Sequence, residues 1–135
     1  MCVAYHKRLA DELACGKMAS VHLCGDATRH FPLIKEESGC LSFDTGFPAD
    51  LSWLRQTLGE EALIHGGVHV EILKDGPPDR IIKETYRVLR SGTLGGGRFV
   101  LREANNLAPR TPFSNIELFY RMGKEISRKI LAGSR

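Results

Sequence analysis

Four short β-favouring runs, each breaking into polar residues, constrain this chain more than any other feature. Ala19-Ser20-Val21-His22-Leu23 breaks at Cys24-Gly25-Asp26. Leu41-Ser42-Phe43 runs into Asp44-Thr45-Gly46. Leu63-Ile64-His65-Gly66-Gly67-Val68 ends at His69, and Phe99-Val100-Leu101 passes into Arg102-Glu103-Ala104-Asn105-Asn106. Segments of helical period lie between the runs, so strand and helix alternate. Connections of that length suit parallel strands joined by right-handed crossovers. In such sheets chemistry collects at the carboxyl ends of the strands, where these polar clusters fall.

Taken in order, the pattern predicts a helix over residues 2–15, where Tyr5, Leu9 and Leu13 recur every four positions and Gly16 stops it. A strand at 19–23 leads to a helix at 28–37 with Pro32 in its first turn. A strand at 40–43 leads to a helix opened by Pro48 and capped by Asp50. Leu51, Leu54 and Leu58 form its stripe, Trp53 extends it and Gly59 ends it. The third strand spans 62–65 and is followed by a turn at Gly66-Gly67-Val68-His69 and a short helix at 70–74. Pro77-Pro78-Asp79 starts a longer helix with Ile81, Ile82, Thr85, Val88 and Leu89 facing inward. After a fourth strand at 98–101, Thr111-Pro112 opens the last helix, 113–131. Its expected apolar side is Ile116, Phe119, Tyr120, Met122 and Ile126, and the Thr111 hydroxyl is expected at its cap.

The fold class is therefore α/β: a single domain over 1–135 made of four consecutive βα units with parallel strands. Four units are half of a (β/α)8 TIM barrel. A half-barrel exposes two unpaired edge strands, and a homodimer with C2 symmetry is one way to complete the barrel.

The 135 residues suffice for one core, and 42% hydrophobic with 26% charged residues reads as globular. A net charge of +3, scattered along the chain, gives no basis for a nucleic-acid partner. No apolar run is long enough to span a membrane, and the first residues lack a signal-peptide core. The cytoplasm is the expected location. Cys2, Cys15, Cys24 and Cys40 form no Cys-x-x-Cys pair, so they are expected as reduced thiols.

His22 and Cys24 are two apart on a strand end, so both side chains can point to one face. Imidazole and thiolate are zinc donors, and a catalytic zinc site needs three protein ligands. The alternative is a pair of packed residues. The third ligand can be His69, Asp44 or Glu103, with His69 favoured on ligand type. Cys40 belongs at the opposite strand end, in the core. Asp44 is either a general acid or polar substrate contact, or a turn cap. Asp26 reads as a cap. Arg102 and Glu103 are adjacent and should point to opposite faces, one reaching the barrel interior to bind a carboxylate or carry an acid proton. Asn105 and Asn106 either bind substrate or hold the loop before Thr111. Gly95-Gly96-Gly97 precedes a strand, the wrong end for a phosphate loop, and reads as a turn.

His22-Leu23-Cys24-Gly25, Phe43-Asp44, Gly66-Gly67-Val68-His69, Arg80-Ile81-Ile82 and the run from Asn105 to Ile116, with its Leu107-Ala108-Pro109-Arg110-Thr111-Pro112 core, resemble the C-terminal half of the uroporphyrinogen decarboxylase superfamily. That superfamily also holds the cobalamin- and coenzyme M-type methyltransferases. The resemblance covers nearly the whole chain and implies the last four units of a (β/α)8 barrel. The methyltransferase branch implies zinc on a His-x-Cys pair, matched by His22 and Cys24, plus a later Cys where this chain has Asn105. The decarboxylase branch implies a tetrapyrrole-contacting histidine at the same Asn105. Its acidic pyrrole-binding residue lies in the half with no counterpart here. The expected function is zinc-assisted methyl transfer involving a thiol or a corrinoid partner. The alternatives are tetrapyrrole decarboxylation and a catalytically incomplete half-barrel that self-associates.

Overall fold

The computed structural model describes residues 3–133. Its elements are α1 Val3–Leu13, β1 Ser20–Leu23, α2 Phe31–Ser38, β2 Ser42–Thr45, α3 Leu51–Leu58, β3 Leu63–His69, α4 Val70–Asp75, α5 Pro78–Leu89, β4 Phe99–Ala104 and α6 Phe113–Gly133. Short 3-10 turns precede α2 and β4. The strands form one sheet in the order β1-β2-β3-β4, every neighbouring pair parallel. This is the expected α/β half-barrel. The predicted Cys2 start of the first helix lies outside the described residues. No helix among the described residues is long and apolar enough to cross a membrane.

The period of two along each strand sorts side chains to two faces. Val21, Leu23, Phe43, Ile64, Val68, Phe99 and Leu101 join the apolar layer shared with the helices. The Phe31 and Phe43 rings meet edge-on at 5.6 Å. The opposite face carries the register row His22, Asp44, His65 and Val100. This face is polar and open, and Val100 on it is 41% exposed.

Local signals set most boundaries. Asp50 caps α3 by accepting the Trp53 N–H at 2.9 Å. Pro32 sits in the first turn of α2, and Gly39 closes that helix with a left-handed φ of 68°. Asn115, within the run from Asn105 to Ile116, donates from Nδ2 to the Leu73 carbonyl at 2.9 Å and so ties α6 to α4.

Several expectations are corrected. Gly66 and Gly67 do not make a turn; β3 runs straight through them to His69. A Cβ on Gly67 would lie 1.8 Å from the Arg102 carbonyl oxygen, and one on Gly66 2.6 Å from Thr45 Oγ1. The glycines permit close approach inside the sheet. β4 likewise continues past Leu101 to Ala104, and β2 starts at Ser42 rather than Cys40. Trp53 is 40% exposed and extends no buried stripe. The Thr111 hydroxyl donates backward to the Ala108 carbonyl at 2.7 Å instead of capping α6. Asp26 makes no side-chain cap; the first residue before that 3-10 turn is Ala27. Cys40 is buried as expected and donates its thiol to the Ala19 carbonyl at 3.1 Å.

α1 departs furthest from its prediction. Its stripe, Tyr5, Leu9 and Leu13, is 65%, 54% and 73% exposed, and the helix buries no residue. It packs beside α2. Between α1 and β1 lies an open groove of about 450 Å³, with Leu9, Leu13, Met18 and Val21 in its wall.

At the amino ends of the strands the chain buries an arginine. Arg55 Nη1 donates to the Gly59 and Ala62 carbonyls, both at 2.8 Å, Nη2 to Arg98 at 2.8 Å and Nε to Thr93 at 3.2 Å. These carbonyls belong to the segments that lead into β3 and β4. Replacing Arg55 by methionine keeps bulk and takes a donor from each of the four carbonyls, of which Arg98 and Gly59 keep a backbone N–H. The Arg55→Met chain is expected to lose about 3 kcal/mol of unfolding free energy, read from urea denaturation.

Candidate functional site

The polar cluster forms where β1, β2 and β4 end. His22 and Asp44 are register partners on adjacent strands, on the open face. Cys24 follows β1 by one residue, so the strand parity that aims His22 inward aims Cys24 the same way. Gly25 turns the chain immediately after it with a φ of 69°. Gly46 fixes the turn from the other side. Its N–H donates to the Leu23 carbonyl at 2.9 Å, and a Cβ there would lie 2.8 Å from Cys24 Cα. The glycine lets the end of β2 nest against the Cys24 backbone.

The side chains then meet in a row. His22 Nδ1 is 2.9 Å from Asp44 Oδ2, and His22 Nε2 is 2.9 Å from Cys24 Sγ. The carboxylate accepts the proton on Nδ1, which leaves the Nε2 lone pair facing the thiol. Arg102 Nη1 donates to the same Asp44 oxygen at 2.8 Å. Arg102 Nη2 reaches Glu103 Oε1 at 3.4 Å, and the Tyr120 hydroxyl donates to Glu103 Oε2 at 3.1 Å. Arg102 thus reaches the open face and Glu103 turns toward α6, as their adjacency on a strand requires, although their tips still touch.

Asn105 sits at the other side of Cys24, with Oδ1 3.7 Å from Sγ. Its φ of 127° is rarely adopted by residues with a Cβ, and its N–H closes on the Glu103 carbonyl at 2.9 Å. Asn106 is exposed at the tip of the same loop. His69 ends β3, with its ring 4.3 Å from Phe47 and Nδ1 3.9 Å from Glu71. The structure therefore brings together His22, Cys24, Asp44, Arg102, Glu103 and Asn105, and leaves His69 and Asn106 apart from them. Among the described residues, no three His, Cys, Asp or Glu side chains converge as a metal-binding group.

Two contributors escape a reading of the sequence. Gly46 looks like an ordinary turn glycine, since its tight neighbour lies on another strand. Tyr120 looks like part of the apolar stripe of α6, yet it is 40% exposed and bonded to Glu103. No local pattern marks either.

The sequence model of the family described as uroporphyrinogen decarboxylase (URO-D) matches residues 1–126. No curated protein gives a significant match. Among solved structures, a methyltransferase from Methanosarcina mazei is similar, with a TM-score of 0.73 at 20% sequence identity, over 91% of this chain and 35% of that chain. At that identity the likeness establishes the fold. The chain spans about a third of that methyltransferase's length.

Tyr120 has a shifted ionisation. Burial first, and then the Glu103 charge and hydrogen bond, raise its pKa above the usual tyrosine value, with Arg102 opposing. The fold thus favours the neutral phenol. That contribution is complete below about pH 10, the unfolded value, and is lost as pH rises through the higher folded one. In an alkaline absorbance titration, the component missing from Tyr120→Phe is expected to ionise last among the tyrosines. Glu103→Gln is expected to move it down.

Proposed function

The chain belongs to the uroporphyrinogen decarboxylase family, and on that premise we propose that it carries part of a zinc-assisted methyl-transfer site acting on a thiol, with a corrinoid as methyl-carrying partner. One observation carries the proposal: His22 Nε2 and Cys24 Sγ converge at 2.9 Å while a carboxylate holds the other ring nitrogen. Zinc takes imidazole nitrogen and thiolate sulfur. A metal-bound histidine is ordinarily oriented by an acceptor on its second nitrogen, and Asp44 supplies one. The donor chemistry fits for these two positions. His22 and Cys24 would hold the ion, which when bound keeps a coordinated substrate thiol as thiolate.

The remaining residues have roles around that pair. Asp44 fixes the His22 tautomer, and Arg102 holds Asp44 in place. Asp44, Glu103 and Arg102 together leave a formal charge of −1 that a cation offsets. Asn105 borders Cys24 and, with Arg102, offers hydrogen bonds to a substrate. Two donors fall one short of a catalytic zinc site. His69 lies at the same end of the sheet and would have to leave the Phe47 ring to become the third. The methyltransferase fold neighbour supports the same reading.

The missing third donor favours a second reading, tetrapyrrole decarboxylation. There Asp44, Glu103 and Arg102 would act without a metal, stabilising charge that develops on a pyrrole ring.

Elemental analysis separates the two. Near-stoichiometric zinc is expected in the freshly purified chain and is expected to vanish in both His22→Ala and Cys24→Ser. A chain that takes up no zinc after reconstitution under reducing conditions would put decarboxylation first.

A further inference from the structure

We propose that Tyr120 is a positioning residue of this site, acting through Glu103 and Arg102 on Asp44 and so on His22. The inference rests on the functional reading only in taking the His22 and Cys24 pair as the working centre.

Arg102 stands between two carboxylates. It donates to Asp44 Oδ2 at 2.8 Å and to Glu103 Oε1 at the weaker 3.4 Å. Both acids are mostly covered, with 19% and 15% of their side chains exposed. Each therefore depends on protein donors more than on water. For Asp44 the donors are Arg102 and His22. For Glu103 they are Arg102 and the Tyr120 hydroxyl at 3.1 Å. The phenol satisfies Oε2 and tempers the pull of Glu103 on the guanidinium. Arg102 then stays committed to Asp44 and shares its Oδ2 with the His22 Nδ1–H. Tyr120 remains a donor through the neutral range because burial and the Glu103 charge keep it protonated.

Removing the hydroxyl leaves Glu103 with one partner, Arg102. The guanidinium is drawn toward Glu103, and Asp44 Oδ2, left with His22 as its donor, accepts more strongly from Nδ1–H. The Nδ1–H tautomer, which turns a lone pair toward Cys24, is then held more firmly. A helix outside the sheet thus tunes how firmly a β1 histidine keeps its proton away from the thiol.

The test is the His22 tautomer ratio, read from imidazole nitrogen chemical shifts in chelator-treated, metal-free protein at one pH. Wild type is expected to hold the Nδ1–H form. In Tyr120→Phe the minor Nε2–H population is expected to fall roughly fivefold, the size of one hydrogen bond's contribution. Adding Glu103→Gln to Tyr120→Phe removes the competing charge and is expected to restore the wild-type ratio. A folded Tyr120→Phe chain with an unchanged ratio overturns the proposal, as does a double variant that stays shifted. Because the measurement excludes metal, its failure is distinct from the failure of the zinc reading, which elemental analysis decides.

Discussion

Four backbone carbonyls meet one guanidinium at the base of the sheet, and the placement of β3 and β4 depends on it. A parallel sheet brings chain into every strand at the same end, so the entering loops crowd there with acceptors that the ladder cannot satisfy. Arg55 gathers four carbonyls from the two loops that lead into β3 and β4, and the Arg98 carbonyl also accepts the Ile64 N–H. A lysine has three donors at one point and could not reach them all. With the base held by a planar fork, β3 and β4 share a register over six residue pairs, from Ile64↔Phe99 to His69↔Ala104. That register sets Arg102 opposite Gly67, with its guanidinium beside Asp44. The rigid end and the chemical end of the sheet are thus opposite ends of the same strands.

The alternation of strand and helix was legible because it rests on local signals: apolar period, the Asp50 cap, Pro32 and Pro78 at helix starts, and Gly59 at a helix end. The gathering of His22, Cys24 and Asp44 at one sheet end was legible too, because strand parity and parallel order place them there. What escaped was set by distant neighbours. Gly66 and Gly67 look like a turn until the adjacent backbone is known. Arg55 looks like the polar side of an amphipathic helix, and Tyr120 like the apolar side of another. Each has at least one partner 17 or more residues away, where a window along the sequence cannot reach. The apolar stripe of α1 was read correctly as apolar, but no described element covers it.

Asp44 concentrates two demands on a single oxygen. His22 orients by it, and Arg102 is held by it. A shared acceptor couples its donors: the geometry of one cannot change without altering the other. This makes the row from Cys24 to Tyr120 a connected set of side chains rather than a list of neighbours, and such sets respond to single changes more than pairwise contacts suggest.

α1 bears on what can complete the barrel. It fills the outer layer beside α2, across the groove from β1. In a right-handed parallel arrangement, that slot belongs to the helix following whichever strand is added at the β1 edge. A second copy, turned by half a revolution about the barrel axis, would lay its β4 on β1 and send its own α6 into a place already taken. A symmetric pair can close only if α1 swings out. A strand that leads directly into α1 closes the same edge with no displacement, because α1 is then its own crossover. Occupancy of the helical layer, more than the free hydrogen-bonding groups of the edge, decides which partner fits.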